Sequence, residues 1–330
     1  MSPSSNQSEF LHVANIVVPT TLPQTSVYDL PKSFVASYLN LLLSGQFAID
    51  AGGADGVLTP EGILSLISEI RLRGTSKTGR SIGTFKKADF AALYYMRSFL
   101  AHAFGYRVNP TPITKGSTPV FAADVQLDFQ MDHSDEERKT LLNADELSEL
   151  SLEIDWRPYA DVFSAGTITT GAAGIALKVA VRQFTADAFK KVPYGLHICE
   201  YKEAPVVAAQ SDFQFKLQRK NLLRGVMIKT FTRNAVIYHT PVDTVINSVK
   251  ILGNKKEIKN FSSQTMLKAE NQSLYGITPA TGYTFIDFMS NKRWEQILDE
   301  REYGDVDIVM DVNGIANSVV RVYPIEVQLN

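Results

Sequence analysis

An all-β fold of two tandem barrels, each with one flanking helix, is predicted by three features of this 330-residue chain: short alternating runs, scarce helical spacing and an ordered internal repeat. In "LSLEIDW", Leu150, Leu152, Ile154 and Trp156 share one face while Ser151, Glu153 and Asp155 share the other, the period-2 pattern of a half-buried strand. In "VDIVMDV", Val306, Ile308, Met310 and Val312 alternate with Asp307 and Asp311 in the same way. Asn313-Gly314 follows and predicts a two-residue hairpin. Pro324, inside "VVRVYPIEVQ", predicts an edge strand or a bulge.

Helical spacing is confined to two stretches. In "KKADFAALYYMRSFLAHAFG", Phe90, Leu93, Tyr94, Arg97, Leu100 and Phe104 recur at helical intervals, and Gly105 stands where a C-terminal cap belongs. The second, "SSQTMLKAENQSLYG", ends at Gly276. Lys86, Lys87, Asp89 and Arg97 interrupt the first, so both are expected to pack on a β core rather than enter a membrane.

The repeat sets the two halves in the same order. "LLSGQF" at Leu42 answers "LLRGVM" at Leu222, and "SEIRLRG" at Ser68 answers "NSVKILG" at Asn247, matching Ile70 and Leu72 with Val249 and Ile251. Gly105 answers Gly276, Asp128-Phe129 answers Asp287-Phe288, and "SLEIDW" answers "DIVMDV". The spacing between partners only shrinks along the chain, as expected of a duplicated unit whose second copy has shorter connections. Many short strands with long excursions close best as a jelly roll, two packed sheets with few exposed edges. The division expected is an extended N-terminal arm over residues 1–34, a first jelly roll over 35–187, a linker over 188–210 and a second jelly roll over 211–330.

Composition narrows the function. Thirty-three basic against thirty-five acidic residues give a net charge of -2, without the positive field that phosphate backbones require, so no direct nucleic-acid partner is expected. Cys199 is the sole cysteine, which excludes an intrachain disulfide and points to synthesis in a reducing compartment. The polar start and the prolines Pro19 and Pro23 fit neither a secretory signal nor a spanning helix.

No catalytic, cofactor or metal site emerges. His197 and Cys199 stand two apart like a ligand pair, but no second pair accompanies them, and His12, His102, His133 and His239 are scattered. "DGVLTPEG" (Asp55 to Gly62) lacks most oxygen ligands of a calcium loop and reads as a turn. "GTITTGAAG" (Gly166 to Gly174) lacks the lysine of a phosphate loop and reads as a hairpin tip. Asp155, Asp287 and Asp311 are expected on solvated faces or subunit contacts, Lys255, Lys256 and Lys259 in a solvated loop, and Trp156 and Trp294 as core or interface anchors.

With these stretches in view, the chain resembles the double jelly-roll major capsid proteins of tailless icosahedral phages with an internal membrane, of the tectivirus, corticovirus and finnlakevirus type. The resemblance is carried most by "LLRGVMIKTFTRN", "TVINSVKILGNKKEI" and "AENQSLYGITPATGYTFIDFMSNKRWEQILDEREYGDVDIVMDVNG". It implies a virion capsid subunit made in the host cytoplasm, a homotrimer whose six barrels form a pseudo-hexagonal block. The expected partners are neighbouring capsid trimers and minor capsid or vertex proteins, with the N-terminal arm facing an internal membrane. The alternatives are a minor virion protein of the vertex or spike, or a two-barrel carbohydrate-active enzyme or lectin, which would need Tyr94, Tyr95 and Trp294 gathered into one concave site.

Overall fold

The computed structural model describes residues 8–77, 81–101, 104–131, 140–168, 174–184, 195–217, 220–234 and 239–329. The first half contributes β1 (Ser8–Val17), β2 (Gln24–Asp29), β3 (Val35–Gln46), β4 (Ile67–Ser76), β5 (Ser81–Ala88), α1 (Phe90–Leu100), β6 (Val120–Asp128), β7 (Leu147–Trp156) and β8 (Ala176–Phe184). They pair as two facing sheets, β1-β8-β3-β6 and β2-β7-β4-β5. The second half contributes β9 (Gly195–Glu200), β10 (Lys202–Val206), β11 (Gln210–Leu217), β12 (Leu222–Thr232), β13 (Ile246–Gly253), β14 (Lys256–Phe261), α2 (Gln264–Tyr275), β15 (Tyr283–Asp287), β16 (Val306–Val312) and β17 (Ser318–Leu329). These pair as β17-β12-β15, with β9 and β10 in turn along the outer edge of β17, and as β11-β16-β13-β14. With β9 set aside as the joining strand, each half is therefore a jelly roll with the same connectivity and with its helix after the fifth strand.

The repeat is visible at single-residue level. Leu72 opposes Leu152 and Ile70 opposes Ile154, while Ile251 opposes Ile308 and Val249 opposes Met310, so the inward pairs match as the sequence indicates. Strand β3 bulges at Ser37 and β12 at Arg224. Each bulge carbonyl accepts the N–H that follows an aspartate, Phe129 N at 2.8 Å and Phe288 N at 3.1 Å. These bulges correct one alignment. Ser37 rather than Ser44 is level with Arg224, so "LLSGQF" and "LLRGVM" lie on equivalent strands seven residues out of step.

Pattern and packing agree where one face of a strand is wet: β7 and β16 alternate buried and half-buried residues, and Trp156 is fully inside. Strands β12, β15 and β17 are buried along nearly their whole length on both faces. Both helices are capped by a side chain, Asp89 accepting from Ala92 N and Ser263 from Met266 N. α2 ends at Gly276 in the left-handed conformation (φ 68°), as expected. α1 ends at Leu100 with Ala101 as its cap, so Gly105 plays another part: a Cβ there would meet the Asp124 carbonyl at 2.4 Å.

Two further expectations are corrected. Asn313-Gly314 makes no hairpin, because β16 pairs with β11 and β13 while β17 lies in the facing sheet; the chain crosses between sheets there, with Gly314 pressed on Ala209 N. Pro324 lies in a central strand, where the neighbour of β17 changes from β9 to β10 and the strand needs fewer ladder donors. Within the expected extended arm over residues 1–34, β1 pairs with β8 and β2 with β7 as edge strands of the first barrel. Likewise β9 and β10 fall within 188–210, and β9 joins the barrels by pairing with β17 on one side and, in parallel, with β5 on the other.

Candidate functional site: the seam between the barrels

Double burial of β12, β15 and β17 has a simple cause. Their inward residues, among them Val226, Ile228, Ile286 and Val322, form the core of the second barrel, while Met227, Tyr283, Phe285 and Tyr323 belong to the core of the first. The outer sheet face of one barrel is thus packed on the helix side of the other. Phe99 of α1 stacks on Phe285 with ring centroids 5.4 Å apart, and Tyr95 lies 4.3 Å from Tyr283.

An ionic cluster sits within this apolar contact. Glu61, just before Gly62, and Asp89, capping α1, come from the first barrel. Lys229 on β12 reaches Glu61 Oε1 at 2.7 Å and Asp89 Oδ2 at 3.2 Å, and Arg321 on β17 reaches Asp89 Oδ2 at 2.7 Å. Tyr323 donates to Asp89 at 2.6 Å, and Tyr283 donates to Glu61. Arg321 also binds Glu203 of β10 through Nε at 2.8 Å, and Arg233 binds Glu203 at 2.9 Å. Lys229 is wholly buried and Arg321 almost so. Charges taken that far from water persist only when paired, so the cluster fixes how the barrels meet.

The two carboxylates respond differently to this setting. Burial raises Glu61 above the usual carboxylate range, with Lys229 opposing the rise. Burial acts on Asp89 too, but Lys229, Arg321, the Tyr323 hydroxyl and the Ala92 N–H outweigh it and hold Asp89 low. His239, 3.2 Å from Lys229, is held well below its ordinary range by burial and the surrounding cations.

His197 and Cys199 fall at the second junction. His197 donates from Nδ1 to the Asp128 carbonyl of the first barrel at 2.9 Å, and burial, Lys86 and Arg224 keep its ring neutral. Cys199 is buried opposite Lys86 in the parallel pairing of β9 with β5. Burial pushes the Lys86 amine down to about 8, against the pull of Cys199 and Asp128. Among the described residues no cluster of three or more His, Cys, Asp or Glu is arranged to hold a metal ion.

The remaining singled-out residues are dispersed. The Asp55–Gly62 stretch supplies Glu61 to the seam. Asp287 is buried, bound by Arg224, Tyr275 and Met289 N, and so is no solvated residue. Asp155 pairs with Arg71 at 2.9 Å. Lys255 sits in the tight β13–β14 turn, where Asn254 and Lys255 both have positive φ, but Lys259 is anchored, donating to the Asp287 carbonyl at 2.6 Å. Tyr95 is covered by Tyr283, whereas Trp294 lines a groove of about 420 Å³ with Phe288, Ile258 and Arg301, so the aromatics do not converge. His12 is exposed on β1; His102, His133 and residues 169–173 of the glycine-rich stretch lie outside the described residues. Lys229 and Arg321 were not singled out in the sequence, and Asp89 was read only as one of the charges interrupting the first helical stretch. The available signal was a charge inside an apolar strand, Lys229 in "GVMIKTF" and Arg321 in "VVRVY".

No family model and no curated protein matches the sequence. Solved structures do match the fold along nearly its whole length. The STIV MCP, from Sulfolobus turreted icosahedral virus, superposes with a TM-score of 0.72 at 13% identity over 98% of this chain and 96% of that one. The major capsid protein P2 from bacteriophage PM2 gives 0.63 at 12% identity, covering 98% of both chains. The Faustovirus major capsid protein gives 0.61 at 9% identity over 100% of this chain and 91% of its own. Two jelly rolls of equal connectivity, joined side by side in one chain, give this protein the double jelly-roll fold of those major capsid proteins.

Proposed function

We propose that the chain is a major capsid protein, a structural subunit that self-associates into the shell of a virus. The observation that carries this reading is the match of both barrels and their junction, along nearly the whole of each chain, to major capsid proteins. The seam supports it. Inside the chain, the helix side of one barrel meets the sheet side of the other, a heterologous contact that leaves one surface of each kind unused. Such a contact repeats between copies until it closes, and three two-barrel chains approximate a six-fold ring.

In this reading the homotrimer packs against neighbouring trimers and minor vertex proteins. On the same reading, the end of the first barrel where the N-terminal strands β1 and β2 join its sheets faces the particle interior and its membrane. Electron microscopy of the purified protein tests the proposal. Six-lobed, nearly hexagonal particles support it; single two-lobed particles at every concentration refute it.

A further inference from the structure

The groove beside Trp294 is built by the connection from β15 to β16. Trp294 opens a short 3₁₀ turn, Trp294–Gln296, and Gln296 braces it by accepting from Asn291 N at 3.0 Å. The chain then pairs Leu298 and Asp299 with Leu223 and Leu222 of β12 and enters a second turn, Glu300–Glu302, whose first N–H donates to the Asn221 carbonyl at 3.0 Å. The two turns and the neighbouring Phe288 and Ile258 enclose about 420 Å³. A cleft of that volume holds a whole small molecule.

Its lining is of two kinds. The floor is apolar: Leu222, Phe288, Ile297 and Leu298 are buried, and Trp294 is half-buried. The rim is acidic, with Glu295 and Glu302 exposed and Asp299 half-buried, against Arg301 as the one cation among the described lining residues. Arg301 is committed to Asp299, whose Oδ1 accepts from the Arg301 backbone N at 2.9 Å and from Nε at 2.8 Å. Those bonds hold the Asp299 carboxyl below its ordinary range and leave Glu295 and Glu302 as surplus negative charge. Lys259, without lining the groove, holds its ammonium 5.5 Å from the Phe288 ring centroid, so one aromatic wall already carries a cation.

These surfaces select the ligand. An anion would meet the surplus carboxylates, a metal ion would make no use of the hydrocarbon floor, and a neutral sugar on Trp294 would leave the surplus charge uncompensated. An aliphatic stem with cationic ends satisfies both, its methylenes lying on apolar ground while its ammonium groups donate charge-assisted bonds to carboxylates. We propose that the groove binds a free aliphatic polyamine, its methylene chain laid across Trp294 and its ammonium groups donating to Glu295 and Glu302. The volume favours a whole molecule over one side chain of a partner protein. The site belongs to a single chain, so its occupancy is independent of the shell-subunit reading.

The test is isothermal titration calorimetry of the full chain with spermidine at low salt, alongside magnesium, a neutral trisaccharide and a lysine-containing peptide. Saturable binding of spermidine is expected. A Glu295→Gln, Glu302→Gln chain should bind it about tenfold more weakly, the scale of two exposed ion pairs. Trp294→Leu, which keeps an apolar side chain but removes the indole face, should weaken it by about as much. On the unaltered chain, affinity should rise from putrescine through cadaverine to hexamethylenediamine as the floor covers more methylene. That series replaces Trp294→Leu should the variant misfold by circular dichroism. Absence of spermidine binding, equal binding of magnesium, tighter binding of the trisaccharide or the peptide, unchanged affinity in the double carboxamide variant, or a flat diamine series each overturns the inference. Every one of these results leaves the shell-subunit reading standing.

Discussion

Asp89 of the first barrel accepts from both Arg321 and Tyr323 of the second through a single oxygen, Oδ2, at 2.7 and 2.6 Å, while its other oxygen caps α1. One carboxylate thus starts a helix in one barrel and anchors the sheet of its neighbour. Asp89→Asn keeps the capping ability but removes the charge that Lys229 and Arg321 face. Unpairing a buried ion in this way costs about 3–5 kcal/mol, to be read from denaturant unfolding. Glu61→Gln should cost no more than about 1.5 kcal/mol, because burial already disfavours the Glu61 charge and an amide oxygen can still accept.

Acid should weaken the fold well above the carboxylate range. His197 and His239 are held neutral in the folded protein, whereas the unfolded chain protonates them near pH 6.5. The stability they support is complete above that pH and falls as pH drops towards their folded values, by about 1.4 kcal/mol per histidine per pH unit. Asp89, depressed in the folded state, adds a further loss only below about pH 3.8, its ordinary value. Unfolding midpoints between pH 7.5 and 5 check this, and His197→Asn with His239→Gln should flatten the dependence.

Gly225 marks a closer approach in the second barrel than in the first. A Cβ there would lie 2.6 Å from Phe285 Cζ and 2.8 Å from the Ile286 carbonyl, and Tyr38 fills the equivalent place in the first barrel. Gly225→Ala is expected to destabilise by about 1–3 kcal/mol through overpacking. Thermal unfolding measures it.

Phe99 and Phe285 stack across the seam. Replacing Phe99 by Ala removes a fully buried ring and should cost about 3–5 kcal/mol. A double-mutant cycle with Phe285→Ala should return a coupling of about 0.5–1.5 kcal/mol, the scale of an aromatic pair.

The strands with one wet face were legible in the sequence, because alternation over Leu150–Trp156 or Val306–Val312 reports burial directly. The duplication was legible for the same reason, in pairs such as Ile70 with Val249. The bulges at Ser37 and Arg224 were not, since a bulge shifts register without leaving a compositional mark. Nor was the entry of Gln24–Asp29 into a sheet, because residue type does not follow burial there: apolar Val27 is on the exposed face and polar Ser26 on the half-buried one. The seam escaped because its acids and bases are distant in sequence, Asp89 and Arg321 by 232 residues, and meet only after both barrels have closed.

The central claim, that the chain works by associating with its own copies, is tested most directly by solution mass from size-exclusion chromatography with light scattering. Three copies of the 36.6 kDa chain, about 110 kDa in all, is the predicted result. A clean single-chain mass at every accessible concentration would contradict it.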